Sequence, residues 1–280
     1  MNELRIDALL PGEMARRAEY IGVRKAEASA LQMFALALLA GAFIALGAVF
    51  ATTVATGAAG ILSYGVTKLL VGFVFCLGLV LVIVGGAELF TGNNLIVMAW
   101  ASGKVTTKAL LRNWGIVYLG NFIGALFTAI LIIISQQYKF ADGAIGNMAL
   151  TIANDKINLA FGQAIALGVL CNILVCLAVW MSFSARSTVD KIAVIIFPVT
   201  AFVAAGFEHS VANMYFVPIG LLINKLDPVF AASTGLDLSN LTWGTFLLNN
   251  LLPVSIGNII GGSIFVAAIY WAIFLRHADS

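Results

Sequence analysis

Long apolar stretches are the feature that most constrains the fold of this chain. The runs at residues 31–50, 69–86 and 161–183 reach or approach the ~20 apolar residues that a helix needs to cross a bilayer. Only 10% of the 280 residues are charged, whereas a soluble domain carries roughly 25%. The chain is therefore predicted to be an all-α integral membrane protein. Its six hydrophobic segments span about residues 29–56, 68–99, 107–135, 158–183, 191–223 and 246–275.

The N-terminal region differs in kind from the six segments. The first apolar run begins near residue 28, behind a charged stretch, and is longer than the 7–15-residue core of a signal peptide. Within the charged stretch, Met14, Tyr20 and Ile21 alternate with charges, as in an amphipathic helix. We expect a cytoplasmic amphipathic segment at 1–28. A transmembrane pore domain at 29–277 and a cytoplasmic tail at 278–280 would follow it.

The basic residues are distributed unevenly between the two sides of the predicted membrane. With a cytoplasmic N-terminus, eleven of the fifteen Lys and Arg residues lie on the cytoplasmic side. Cytoplasmic loops of membrane proteins carry such an excess, so both termini are predicted to be cytoplasmic. The four on the opposite side are Lys68, Lys139, Lys156 and Lys225.

Two pairs of similar strings indicate an internal repeat. The second segment contains GAELFTGNN at 86–94, and the fifth contains GFEHSVAN at 206–213; in both, Gly precedes Glu by two positions and Asn follows it by five. The third segment contains GNFIG at 120–124, and the sixth contains GNIIG at 257–261. Equivalent segments are separated by an odd number of spans, so the halves run in opposite directions. The sequence predicts a 3+3 inverted repeat.

The polar groups within these strings predict broken helices. Glu88 and Glu208 lie deep in the second and fifth segments, where a charge is costly and where Gly favours an interruption of the helix. Irregular backbone at that depth is tolerated when protein buries it or a cavity adjoins it. We expect the two carboxylates to cap backbone N–H groups at the breaks. Asn121 and Asn258 are expected to face protein or water, because an amide facing lipid is unfavourable.

His209 is the strongest candidate for a functional side chain. A histidine within a membrane segment suggests a functional site, and its imidazole titrates near neutral pH when unperturbed. Thr91, in the matching string, is placed to donate to a passing anion or to orient His209. The sequence contains no HExxH, GxSxG or P-loop motif and no Cys/His cluster. We therefore predict no enzymatic activity, no metal, no cofactor and no nucleic-acid partner.

Four strings carry a resemblance to a known family. They are GGAELFTG at 85–92, CLAVWMS at 176–182, FVAAGFEHSVANM at 202–214 and PVSIGNIIGG at 253–262. The chain resembles the formate/nitrite transporter family, and within it the bacterial formate channels, over about residues 3–277. The resemblance implies an aquaporin-like homopentamer, embedded in the lipid of the bacterial inner membrane, with one independent pore in each protomer.

The resemblance also implies roles for individual residues. His209 would be the central histidine between two apolar constrictions, with Lys156 at the outer vestibule. Further polar positions carried over are Thr91, Asn172 and Asn258. The constriction positions carried over are Phe75, Leu79, Leu89, Phe90, Val175 and Phe202, and which constriction each would form is left open.

The implied function is a passive, pH-sensitive channel for formate and other small monovalent anions such as nitrite. A bare carboxylate in an apolar constriction costs tens of kcal/mol, whereas protonating formate at pH 7 costs roughly 5 kcal/mol. Passage as formic acid or as a close ion pair is therefore favoured. A proton-coupled formate/nitrite transporter is the alternative, and hydrosulfide is a rival substrate. An aquaporin-type channel for neutral solutes is disfavoured, because the paired Asn-Pro-Ala signature is absent.

Overall fold

The computed structural model describes residues 8–58 and 60–276, and within these ranges the chain forms helices and no β-strand. Residues 1–7 and 277–280, including the predicted C-terminal tail, lie outside the described residues. In chain order the helices are α1 Pro11–Glu27, α2 Ala30–Ala55, α3 Tyr64–Gly85, α4 Val97–Ala101, α5 Thr107–Ser135, α6 Ala144–Ile157, α7 Phe161–Ser184, α8 Thr188–Ala204, α9 Ser210–Leu226, α10 Pro228–Ser233 and α11 Trp243–Phe274.

Five of the described helices, α2, α3, α5, α7 and α11, are long and apolar enough to cross a membrane by length and composition. The predicted apolar segment at 191–223 is divided between α8 and α9, which have 17 residues each. Two stretches of α11 are π-helical, Phe246–Leu251 and Ile260–Ala268. The all-helical prediction is confirmed for the described residues.

Two similar loops interrupt the helical path. After α3, Gly86 has φ 75°, and the chain stays irregular until a 3₁₀ turn at Gly92–Ile96 leads into α4. After α8, Gly206 has φ 74°, and the chain becomes helical again at Ser210. Residues with a Cβ adopt such a positive φ at an energetic cost, so glycine is well suited to turn the chain here. We call residues 86–91 the first loop and 205–209 the second loop.

The long helices pack closely around these loops. Helix α2 contacts α3 and α5, and α7 contacts α8 and α11. A Cβ at Gly124 would overlap the backbone carbonyl of Leu38, and a Cβ at Gly261 would overlap that of Val169. The glycines of the GNFIG and GNIIG strings therefore permit close helix approach, as small residues do in membrane bundles.

Helix α1 lies against the first loop and the turn that follows it. Pro11 occupies its first turn, where the missing N–H costs nothing. Its apolar face is buried, with Ala15 and Ala18 almost inaccessible, and Gly22 packs beside Ala99 of α4. This packing directs the C-terminal end of α1, with Lys25, toward the first loop.

Candidate functional site

Asn121 fastens the first loop from α5. Its Oδ1 accepts a hydrogen bond from the backbone N–H of Phe90 at 2.9 Å. Its Nδ2 donates to the carbonyl oxygens of Ala37 at 2.8 Å and Glu88 at 2.9 Å. The amide is inaccessible to solvent, so it replaces the helical partners that the loop backbone lacks.

Asn258 fastens the second loop from α11 with the same contacts. Its Oδ1 accepts from the backbone N–H of Ser210 at 2.9 Å. Its Nδ2 donates to the carbonyl oxygens of Gly168 at 2.8 Å and Glu208 at 2.9 Å. The expectation that these amides face protein is confirmed. Among the described residues, the amide of Asn258 contacts backbone groups alone, which argues against its predicted place in a substrate pathway.

Glu88 belongs to a polar cluster that joins the first loop, the 3₁₀ turn after it, α1 and α5. Its carboxylate accepts from Asn93 Nδ2 at 2.6 Å and pairs with Lys25 Nζ at 3.0 Å. Asn93 also donates to Asn113 Oδ1 at 2.9 Å, and Asn113 donates to the carbonyl of Lys25 at 3.1 Å. Lys25 Nζ further donates to Asn93 Oδ1 at 2.8 Å. We call these four residues the Lys25 cluster.

Glu208 belongs to a matching group, the Lys156 cluster. Its carboxylate accepts from Lys156 Nζ at 2.7 Å and from Asn213 Nδ2 at 2.6 Å. Asn213 donates to Asn250 Oδ1 at 2.8 Å, and Asn250 donates to the carbonyl of Lys156 at 2.9 Å. Lys156 Nζ also lies over the ring of Phe216, 5.4 Å from its centroid.

The clusters correct one expectation from the sequence and add a contact that it did not predict. The Glu88 and Glu208 carboxylates were expected to cap backbone N–H groups, but their contacts in the described part of the chain are with Lys and Asn side chains. The uncharged amides of Asn121 and Asn258 hold the loop backbone instead. Lys156, predicted at the outer vestibule, pairs with Glu208, 52 positions away in the sequence.

His209 begins α9 and is fixed through both ring nitrogens. Its Nδ1 accepts from the backbone N–H of Ala212 at 3.0 Å, which makes the imidazole the N-cap of the helix. An accepting Nδ1 carries no proton, so the proton of the neutral ring lies on Nε2. Nε2 is 2.9 Å from Thr91 Oγ1 and donates to it. The expected contact between Thr91 and His209 is confirmed.

Two cavities adjoin residues of this site. One, of about 200 Å³, is lined by Leu79 and Leu89 together with Lys25 and Glu88. The lining of the other, of about 290 Å³, includes Phe75, Phe202, Lys156, Glu208 and His209. We call them the Lys25 cavity and the Lys156 cavity.

Four of the six candidate constriction residues line the two cavities, two in each. Leu79 and Leu89 adjoin the Lys25 cavity, whereas Phe75 and Phe202 adjoin the Lys156 cavity. The rings of Phe75 and Phe202 meet edge to face at 5.9 Å, and Phe202 stacks on His209 at 5.9 Å. These contacts place the Phe202 ring directly beside the imidazole and the Phe75 ring against Phe202.

Three other candidates are buried and are not among the described residues that line either cavity. Val175 is 1% exposed. Asn172 donates to the carbonyl of Thr91 at 3.2 Å and to Asn94 Oδ1 at 2.8 Å, and its Oδ1 has no partner within the described residues. Phe90 packs its ring against α5. Phe90 and Asn172 therefore brace the segment around Thr91.

Sequence reasoning missed three of the eight members of the two clusters. Lys25 contributed only to the prediction of membrane orientation, and the sequence analysis assigned no role to Asn113 or Asn250. A signal was present, because an Asn precedes each GNxIG asparagine by eight positions, at 113 and at 250. Eight residues are a little over two helical turns, which places the pairs near one face.

The chain belongs to the formate/nitrite transporter family, whose model matches residues 12–272. It is 46% identical to formate channel FocA of Escherichia coli K12 over 277 residues, which cover 98% of this chain and 97% of the relative. FocA of Haemophilus influenzae is 43% identical over 263 residues, 92% of each chain.

Solved structures give the same result. A pentameric formate channel with formate bound matches with a TM-score of 0.82 at 47% identity, over 88% of this chain and 98% of that one. An FNT family ion channel matches with a TM-score of 0.80 at 28% identity, over 93% and 98%. The helical architecture described here is therefore that of the family.

Proposed function

We propose that this protein is a passive, pH-sensitive channel for formate, and for other small monovalent anions such as nitrite, across the bacterial inner membrane. One observation carries the proposal. Two cavities, each bordered by a lysine–glutamate pair, are lined by different described residues, and the buried Thr91–His209 hydrogen bond connects the two loops that border them. The relatives named as formate channels, and the structural neighbour that contains formate, support the same substrate.

The architecture we propose is an aquaporin-like 3+3 inverted repeat of six spans. In it, α3 with α4 and α8 with α9 are the broken second and fifth spans. The paired contacts support this, because they are related by fixed shifts in position. Lys25 and Lys156 are 131 positions apart, as are Ala37 and Gly168, which accept from the two loop asparagines. The shift of 131 also pairs α1 with α6, so the N-terminal helix belongs to the repeat.

The assembly we propose is a homopentamer in which each protomer conducts independently. Both cavities and the histidine between them are formed by one chain, so no second copy is needed to complete the path. The pentameric neighbour supports the stoichiometry. The excess of basic residues on one side supports cytoplasmic termini, which places the Lys25 cavity inside and the Lys156 cavity outside.

Formate would cross the apolar region in its neutral form. Protonating formate at pH 7 costs far less free energy than moving the bare carboxylate through an apolar constriction. We propose that Leu79 and Leu89 form the inner constriction and that Phe75 and Phe202 form the outer one. Lys156, beside the outer constriction, would draw the anion toward His209.

His209 would act as a neutral hydrogen-bond donor rather than as a resident cation. Protonating Nδ1 would remove the acceptor for the Ala212 N–H and place two donors face to face. With Nε2–H donating to Thr91, the hydroxyl proton of Thr91 remains available to the permeating molecule. The pair therefore offers a polar contact within an otherwise apolar passage.

Uptake by reconstituted proteoliposomes tests the proposal. Formate, nitrite, hydrosulfide, lactate and glycerol would be compared at several pH values, with empty liposomes as a control. We expect formate to enter down its gradient, faster than lactate and glycerol. Accumulation against the formate gradient, driven by a proton gradient, would favour the proton-coupled transporter instead. Equal entry of glycerol and formate would contradict anion selectivity.

A variant tests the part assigned to His209. Asn is a favourable N-cap, so His209→Asn is expected to fold and to assemble. His209 stays neutral while Nδ1 accepts from Ala212, and proton uptake in acid would break that contact. Asn cannot take up this proton, so the pH dependence of formate transport should flatten. Loss of the assembly in detergent would assign His209 a structural role, and an unchanged pH profile would exclude its titration from the mechanism. Asn147→Ala, at an exposed position of α6, is the matched control.

A further inference from the structure

Phe90 connects the two residues of the first loop that matter most to the pathway. Leu89, before it, adjoins the Lys25 cavity, and Thr91, after it, contacts His209. Phe90 itself is 4% exposed. Its backbone N–H is held by Asn121, and its ring is turned toward α5. The position of this ring therefore determines where its two neighbours lie.

Two aromatic side chains of α5 hold the ring of Phe90. Trp114 meets it edge to face at a centroid distance of 6.0 Å, and Tyr118 does so at 4.8 Å. The two are four residues apart and so lie on one face of α5. Each uses its polar group as an anchor. Trp114 Nε1 donates to the carbonyl of Asn93 at 3.1 Å, and the Tyr118 hydroxyl meets Ser255 Oγ at 2.7 Å.

The Tyr118–Ser255 contact has a special position in the repeat. Asn121 and Asn258 are 137 positions apart, and Tyr118 and Ser255 are separated by the same number. Two positions related by a two-fold operation can touch only close to its axis. The hydrogen bond therefore joins α5 to α11 near the pseudo-two-fold axis. It is an unequal pair, because a large ring in one half is tethered by a small hydroxyl in the other.

We propose that Tyr118 and Ser255 form a latch that positions Phe90, and through it Thr91, so that this pair contributes to the selectivity of the pathway for formate. Both are positioning residues, since neither is among the described residues that line the two cavities. When the latch is closed, the Phe90 ring is confined between Trp114 and Tyr118. The Thr91 hydroxyl then remains within hydrogen-bonding distance of His209. When the latch is lost, the ring gains freedom and the passage between the cavities becomes less sharply defined.

The inference rests on the proposed function, and conservative variants test it. Tyr118→Phe keeps the ring and removes the hydroxyl, and Ser255→Ala removes the other half of the hydrogen bond. In full-length protein in proteoliposomes, each is expected to lower the ratio of formate to lactate uptake about fivefold, the factor expected for one neutral hydrogen bond. The double variant should lose no more than either single variant. Tyr270→Phe is the control, because Tyr270 stacks on Trp180, away from Phe90.

Several outcomes would overturn the latch. An unchanged uptake ratio in Tyr118→Phe and Ser255→Ala would do so, as would fully additive losses in the double variant. A lower melting temperature with an unchanged ratio would reduce the pair to a structural contact. If Tyr118→Phe fails to fold, Ser255→Ala decides the matter alone.

A second measurement separates failure of the latch from failure of the proposed function. If wild-type proteoliposomes take up no formate, the channel proposal fails. The ¹⁵N chemical shifts of the His209 ring still report on its hydrogen bond to Thr91. We expect the Nε2 signal to move in Tyr118→Phe and to stay in place in Tyr270→Phe. An unmoved signal in Tyr118→Phe would overturn the latch independently of transport.

Discussion

Replacing Asn121 by Ala should be among the most destabilising single changes in this protein. The amide supplies three hydrogen bonds to backbone groups, at Phe90, Ala37 and Glu88, and the site is inaccessible to water. The Ala37 carbonyl lies within α2 and keeps its helical partner, whereas the Phe90 N–H and the Glu88 carbonyl lie in the first loop and lose theirs. A buried polar group left without its partner costs about 1–3 kcal/mol, so these two cost about 2–6 kcal/mol. A folded protein is stable by only about 5–15 kcal/mol, so a large part of that stability would be lost.

Asn258→Ala provides an internal comparison. Its three backbone contacts match those of Asn121 to within 0.1 Å, because the bonds measure 2.9, 2.8 and 2.9 Å in both sets. We therefore expect losses of similar size from the two substitutions. The free energy of unfolding can be measured by titration with SDS in mixed micelles, with tryptophan fluorescence as the signal. Asn147→Ala, at an exposed position, should change it little.

Three results would refute this reasoning. A loss below about 1 kcal/mol in Asn121→Ala would show that water or backbone relaxation satisfies the loop without the amide. A loss in Asn147→Ala as large as that in Asn121→Ala would show a general sensitivity to amide removal. A large loss at one asparagine and none at the other would contradict the equivalence of the two loops.

Other predictions follow from the ion pairs and the constrictions. Lys156→Ala should destabilise the protein by about 3–5 kcal/mol, because it leaves Glu208 buried and unpaired; adding Glu208→Ala should restore part of the loss in SDS titrations. No recovery would contradict the pairing. Leu79→Ala should raise lactate uptake, and unchanged uptake would exclude it from the constriction. Asp227→Asn should lower the melting temperature at neutral pH. Hydrogen bonds from Lys139 and Tyr138 lower the pKa of Asp227, so the difference should vanish as pH falls through that pKa. A difference that persists in acid would contradict this.

The sequence predicted the elements well where composition alone decides them. Apolar runs of about 20 residues have few alternatives to a membrane helix, so α2, α5, α7 and α11 were found within three residues of their bounds. The segment predicted at 68–99 covers most of α3 and extends through the first loop into α4. The two loops were expected at Gly86 and Gly206, where glycine precedes a glutamate at a depth that disfavours charge. For the helices and for the loops, the local sequence itself contains the physical reason for the structure.

The ion-pair and hydrogen-bond partners of the polar side chains were harder to predict from the sequence. Nothing local indicates that Lys156 pairs with Glu208 rather than with Asp155, because that choice depends on how α6 packs against α9. Assigning loop capping to the glutamates rather than to Asn121 and Asn258 was wrong for a related reason. The shorter amide of a neighbouring helix reaches the backbone, and each carboxylate is already engaged by a lysine and an asparagine.

The two loops are alike in their supports and different in what they present to the pathway. Both loops have a lysine–glutamate ion pair and an asparagine that holds the backbone. The N–O distances of the two ion pairs differ by 0.3 Å, and the matching hydrogen bonds of the two loop asparagines have the same length. The side chain that follows each glutamate differs, Leu89 in one loop and His209 in the other. A shared frame of this kind fixes where the backbone turns, and it leaves the adjoining position free to vary. In the channel we propose, an apolar residue there narrows the passage, whereas an imidazole provides a hydrogen bond within it. On that proposal, the chemistry of the pathway resides where the two loops differ, and one histidine in an apolar segment is therefore informative.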